Sequence, residues 1–147
     1  MTSDAFNSSL RAYKEKGFFK ELKILRGIER ESLRIDNNGR ISQKNHPKNL
    51  GSPLTNKNIT TDFAEALVEL VTPTFESPEA LFDQLNLLHR FVYSELDDEI
   101  LWNFSMPCAF TNEKEIRVAE YGNSNNGMLK HIYRKGPIFP DFITEEP

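Results

Sequence analysis

The chain of 147 residues is short of several things, and each shortage removes a class of function. It has a single cysteine, Cys108, so no internal disulfide can form and a secreted, disulfide-stapled scaffold is excluded. It has no run approaching the roughly 18 apolar residues of a membrane span, and its first twenty residues hold no apolar stretch of signal-peptide length. It has no basic block: 18 Lys and Arg stand interleaved with 22 Asp and Glu, for a net charge of −4. A nucleic-acid binder that tracks a phosphate backbone is therefore not expected. It is also thin in apolar residues. They make up about 40 % when Gly is counted in place of Tyr, against about 45–50 % in ordinary domains. That shortfall points to a polar cavity or to a core that is not all here. A cytoplasmic protein of mixed α and β structure, with no membrane partner, is the expectation.

What is present falls into ordered segments. Residues 8–23 read as helical, with Gly17 as a break. From Lys23, KILRGIERESLRI alternates with period two, the pattern of a strand. Asp36-Asn37-Asn38-Gly39 supplies a turn and Gly39-Arg40-Ile41 begins a return. ITTDFAEALVELVTP (59–73) is ambiguous: its Ala, Leu and Glu favour a helix, whereas Phe63, Glu65, Leu67, Glu69 and Val71 alternate like a strand. Ser77, Pro78 and Glu79 form a helix start, and Leu81, Leu85, Leu88, Val92 and Leu96 continue at helical spacing to about Ile100. WNFSMPCAF (102–110) reads as a short buried connection. Gly122 and Gly127 bracket a polar turn before a short helix to Tyr133.

Three constellations could carry chemistry. Glu29 and Glu31, alternate residues of a strand, face one way about 6.6–6.8 Å apart along the axis. Two such carboxylates repel unless something positive joins them, and hard divalent cations take oxygen ligands of this kind. A solvated strand edge paired with Arg30 and Arg34 is the plainer reading. Asp62, Glu65 and Glu69 form the second group: on a strand, Asp62 reaches the same site as Glu69 only through a bend, and on a helix Glu65 and Glu69 are solvated neighbours. In the third, the loop YGNSNNG precedes a helix bearing Lys130, Tyr133 and Arg134, which suits an anion and an aromatic wall. The three histidines show no ligand spacing, His89 reads as a satisfied residue of the packing helix, and Cys108 lacks the basic neighbours of a nucleophile.

In order, RGIERESLRI, LGSPLTNKNITTDFAEALVELVTP, LHR, WNFSMPC and AEYGNSNNGMLKHIYRKG resemble the N-terminal portion of bacterial glutamate–cysteine ligase, over about Lys23 to Gly136. The resemblance implies an α+β fold: a partial, truncated glutamine-synthetase-like antiparallel sheet with packing helices. It decides for strand over helix in residues 59–73. It divides the chain into a helical segment 1–22, the first part of a catalytic domain 23–136, and an irregular, divergent tail 137–147 in which Pro137 departs from the family pattern. The implied activity joins the glutamate γ-carboxylate to the cysteine amine at the expense of ATP through an acyl phosphate, the first step of glutathione biosynthesis. Glu29, Glu31, Asp62 and Glu69 match metal ligands for Mg2+ or Mn2+, Phe63 and Tyr133 match walls of the cysteine pocket, and Arg134 matches a catalytic arginine at the transferring phosphate. Further ligands of the family lie beyond Pro147, so the expectation is a fragment inactive alone. The rivals are a non-catalytic remnant that binds a partner polypeptide, the missing C-terminal part of the enzyme, and an unrelated Mg2+-dependent phosphotransferase.

Overall fold

A computed structural model describes residues 3–20 and 22–135. Helix α1 (Ser3–Glu15) has no buried residue and ends just before Gly17, whose φ of 73° breaks the helical path ahead of a 3-10 turn at Phe18–Lys20. The alternation that follows becomes a strand from Glu29: β1 spans Glu29–Ile35, and Arg26 forms only an isolated bridge to Phe75. The Asp36 turn closes as its residues dictate. The Asp36 carboxylate accepts from the Asn38 and Arg40 amides, Gly39 takes a φ of 75°, and Ile41 returns to bridge Ile35.

Residues 59–73 are extended, in agreement with the strand reading, but they form a hairpin rather than one strand. β2 (Ile59–Thr60) turns through residues 61–66 into β3 (Leu67–Val71), and the two pair antiparallel. The Thr61 hydroxyl and the Leu67 amide both donate to the Ala64 carbonyl, which closes the turn. Helix α2 (Pro78–Ser94) begins at the expected cap, with the Ala80 amide donating to Ser77 Oγ at 3.2 Å. It ends six residues before the expected Ile100. Ile100–Trp102 is instead β4, paired with Leu33–Ile35, because a ladder along β1 outweighs the continued helical spacing of the local sequence. The segment after it is not buried as expected: Phe104 and Met106 are two-thirds exposed, and only Cys108 is buried.

The sheet order is β2-β3-β1-β4, all antiparallel. Directly opposed residues share a face, so one face carries Ile59, Val68, Leu70 and Leu101, and these pack on Leu85, Leu88 and Val92 of α2. The other face is covered at one end by a smaller cluster of Ile35, Ile41, Ala66 and Cys108 with Leu33 and Trp102. Among the described residues nothing covers Glu29 and Glu31 on its remaining half. Helix α3 (Asn125–Lys135) is capped by Ser124, whose hydroxyl accepts from the Gly127 amide. Gly136, Pro137 and the rest of the tail lie outside the described residues. Among the described residues no helix is long and apolar enough to cross a membrane.

Candidate metal and substrate site

The open half of the sheet holds the acidic residues singled out by their spacing. In β1, Glu29 and Glu31 point away from α2, while Arg30, Ser32 and Arg34 point toward it. The register sets Glu31 directly opposite Glu69 of β3, with Cβ atoms expected about 4.5–5.5 Å apart. Glu29 opposes Val71 and so lies on that same face. Glu29 and Glu31 are exposed and Glu69 is half-buried. Burial raises the Glu69 carboxyl above the ordinary carboxylate range, and the charges of Glu31, Asp62 and Glu29 push it further the same way, with Lys130 opposing. Among the described residues Glu29, Glu31 and Glu69 form a patch of like charges with no ion-pair partner.

Asp62 reaches this neighbourhood through the hairpin turn, the bend its position requires. Its carboxylate forms an ion pair with Arg134 of α3, and its carbonyl accepts a hydrogen bond from the Tyr121 hydroxyl. Tyr121 is almost fully buried, and Lys130 Nζ sits 4.1 Å above its ring centroid. Lys130 and Arg134, one helical turn apart, thus both lie beside the Asp62 turn. Phe63, the next residue, is half-exposed and Tyr133 is 82 % exposed, so neither wall of the expected cysteine pocket is covered by the described residues.

Glu65 has a structural job. It is 2 % exposed, its Oε1 accepts from the His46 amide at 2.8 Å and its Oε2 from the Glu120 amide at 2.6 Å. Sequence reasoning placed Tyr121 only at the start of the polar loop YGNSNNG and missed its contact with Asp62, 59 residues away. It also set aside His46, which burial, with help from Arg34, holds down at a pKa of about 4. Gly127, read as the end of a turn, is inside α3. A Cβ there would stand 2.5 Å from the Tyr121 carbonyl oxygen and 2.6 Å from that of Gly122, so only glycine allows α3 to seat. A cleft of about 730 Å3 beside α3, lined by His46, Tyr121, Met128, His131 and Ile132, contains none of the four acidic residues.

Among the described residues, no three His, Cys, Asp or Glu side chains enclose a point as a closed metal cage does. Mg2+ does not require one: it binds through one or two carboxylates and completes its shell with water and substrate phosphates. An all-oxygen donor set whose mutual repulsion Lys130 and Arg134 only partly relieve fits that mode. Arg134 and Lys130 supply positive charge at its rim, as a site for phosphate oxygens needs.

Comparison with known proteins gives a consistent answer. Residues 9–138 match the glutamate-cysteine ligase family. The chain is 54 % identical over 112 residues to the glutamate–cysteine ligase of Pseudomonas putida (strain W619), and 52 % identical over 113 residues to that of Saccharophagus degradans. These alignments cover 76 % and 77 % of this chain and 21 % of each relative, so the chain spans about a fifth of their length. In structure it superposes on glutamate–cysteine ligase from Francisella tularensis, solved in complex with AMP, with a TM-score of 0.72 and 44 % identity over 76 % of this chain and 22 % of that one. A bifunctional glutathione synthetase from Pasteurella multocida follows at a TM-score of 0.63 and 33 % identity, over 74 % and 14 % of the respective chains. With the antiparallel sheet in place and the match running through nearly all of the described residues, the chain belongs to the glutamate–cysteine ligase family.

Proposed function

We propose that this chain forms the acidic, metal- and phosphate-handling face of an ATP-dependent ligase that joins the γ-carboxylate of glutamate to the amine of cysteine, in the cytoplasm and as the first step toward glutathione. The observation that carries the reading is the direct opposition of Glu31 and Glu69 on adjacent strands, with Glu29 on the same face and Asp62 paired to Arg134 beside them. Glu29, Glu31 and Glu69, with Asp62 as a fourth carboxylate, would hold Mg2+ or Mn2+. The ion, when bound, screens phosphate charge and orients the nucleotide. In the proposed reaction an oxygen of the glutamate γ-carboxylate attacks the γ-phosphorus of ATP and ADP leaves, giving an acyl phosphate. The cysteine amine then attacks the acyl carbon, loses a proton and expels inorganic phosphate. Arg134 steadies the phosphoryl oxygens as they transfer, and Phe63 and Tyr133 flank the cysteine side chain.

On the same reading the 147-residue chain alone does not turn over. Glu29 and Glu31 stand in solvent, and a site that excludes water is needed for charge stabilisation of this kind. Mn2+ titration followed by water proton relaxation tests the ligand assignment: the parent chain binds, and Glu29→Gln and Glu69→Gln each weaken binding. Equal affinity in all three refutes the assignment, and ADP release at an enzyme-like rate from the chain alone refutes the inactivity. A second reading, a remnant that binds the remainder of a ligase in trans, is favoured by one observation. Met128, Leu129, Ile132 and Tyr133 make an apolar surface on α3, each about half exposed or more. Co-purification with a polypeptide that restores ADP release supports it.

A further inference from the structure

On the opposite face of the sheet lies a cleft of about 450 Å3, lined by Arg30 of β1, Asn86, His89, Arg90 and Tyr93 of α2, and Asn103 after β4. Its lining contains two arginines and a histidine and no carboxylate. Among the described residues neither Arg30 nor Arg90 meets an acid, whereas the buried Arg34 does. Arg30 is half-buried as a residue, and its guanidinium donates to the neutral Asn103 Oδ1 at 2.5 Å in an exposed hydrogen bond. The Nε2 atom of His89 is shielded from solvent with no hydrogen-bond partner. Burial and then the Arg30 charge hold His89 below the ordinary imidazole range, so the ring is kept neutral beside Arg30, and an anion between them would favour its protonated, donating form. A shielded polar atom without a partner is costly, and an oxyanion that accepts from the protonated ring relieves that cost.

We infer that the Arg30–His89–Arg90 cleft is an anion site for phosphate, free or as the monoester of a small molecule, separate from the carboxylate face. Two planar guanidinium forks, the imidazole, the amides of Asn86 and Asn103 and the Tyr93 hydroxyl offer more donors than a carboxylate's two oxygens can use. A phosphate's three or four oxygens can use them. The volume is within the range of small-molecule pockets and exceeds that of a bare phosphate, which leaves room for an ester group.

The test uses the 15N-labelled 147-residue chain, titrated with potassium phosphate and, at matched ionic strength, with potassium chloride. Phosphate is expected to give saturable amide shifts at Asn86, His89, Arg90 and Asn103, with half-saturation near ~1 mM. Arg90→Gln and His89→Gln should each raise that midpoint at least several-fold, with spectra that show the variants folded, while Glu69→Gln leaves it unchanged. A tighter midpoint for glycerol phosphate assigns the site to esters, and equal midpoints assign it to free phosphate. The inference is overturned if chloride reproduces the shifts, if they fall only around Lys130 and Arg134, or if neither variant moves the midpoint. Because the readout is independent of Mn2+ binding, failure here leaves the ligase reading standing, and the reverse also holds.

Discussion

Replacing Glu69 by Gln should make the metal-free chain more stable, because it removes a half-buried charge and the repulsion between that charge and the neighbouring acids. Glu69 sits directly across the ladder from Glu31, with Glu29 and Asp62 adding to the repulsion. A like-charge pair directly opposed in a sheet destabilises by about 0.2–1 kcal/mol. Two unit charges about 5 Å apart in a water-like medium repel by roughly 0.8 kcal/mol, which agrees. With weaker contributions from the other two acids and partial relief by Lys130, the expected gain is about 1 kcal/mol at pH 7 and low salt, or roughly 3–5 °C in Tm for a chain of this size. Because the folded-state pKa of Glu69 is raised, repulsion is complete above it and disappears as pH falls through it. The advantage of Gln should therefore vanish at acid pH, and it should shrink in 1 M salt, where the screening length is about 3 Å. Urea denaturation of both proteins at pH 7 and pH 4, each with and without 1 M NaCl, measures all of this. Glu65→Gln is the contrast, because the same chemical change four residues earlier turns one of two buried oxygens, each accepting from a backbone amide, into a donor facing that amide and should destabilise by about 1.5–3 kcal/mol. If Glu69→Gln destabilises, or its gain ignores salt and pH, the repulsive patch does not exist and the site loses its electrostatic basis.

Three further outcomes are expected. His46 is buried neutral, so the unfolded chain binds its proton first and stability falls as pH drops from 6.5 to about 4; that span, at 1.36 kcal/mol per pH unit, corresponds to at most about 3.4 kcal/mol. His46→Phe should leave stability at pH 7 nearly unchanged and flatten the curve in that window, and an unflattened curve assigns acid lability to other groups. Arg34 is fully buried, with both Glu99 oxygens at 2.9 Å, so Arg34→Met should destabilise by about 3–5 kcal/mol in urea titrations. Adding Glu99→Leu should recover much of that, and failure to recover would place the loss in the bonds of Arg34 to the Lys44 and Glu65 carbonyls. Gly127→Ala should cost about 1–3 kcal/mol and release the Arg134–Asp62 pair, seen as loss of the Arg134 side-chain NMR signal shift; a neutral effect would show that α3 can move without penalty.

How much of this was legible from residue order varies with how local the cause is. The direction of Glu29 and Glu31 was readable, because period two fixes alternate side chains on one face whatever the strand's neighbours. The helix start at Ser77-Pro78 and the Asp36–Gly39 turn were readable for the same reason, since their hydrogen bonds are made within four residues. The helix end was not. Ile100 keeps helical spacing with Leu96 and Val92, and only the ladder to Leu33–Ile35, more than 60 positions away, draws it into a strand. In residues 59–73 helix-favouring composition met strand alternation, and the resemblance chose correctly. The hairpin stayed hidden, because its turn uses neither Gly, Pro nor Asn and closes instead on the Thr61 hydroxyl. At the site, Glu69 opposite Glu31 is a register fact and Asp62 paired with Arg134 a tertiary one. His46 was dismissed as a loop residue since nothing in a polar segment signals burial.

Strand β1 also guards its own alignment. It carries arginines toward α2 at positions 30 and 34 and glutamates toward the opposite face at 29 and 31. Sliding it by a single residue would exchange the two sets. Leu33 or Ile35 would then take the place of Arg34 and leave buried Glu99 unpaired, and the Arg30 guanidinium would fill the place proposed for a cation. Off-by-one pairings are thus rejected by charge on both surfaces at once, a form of error correction that an all-aliphatic strand could not provide.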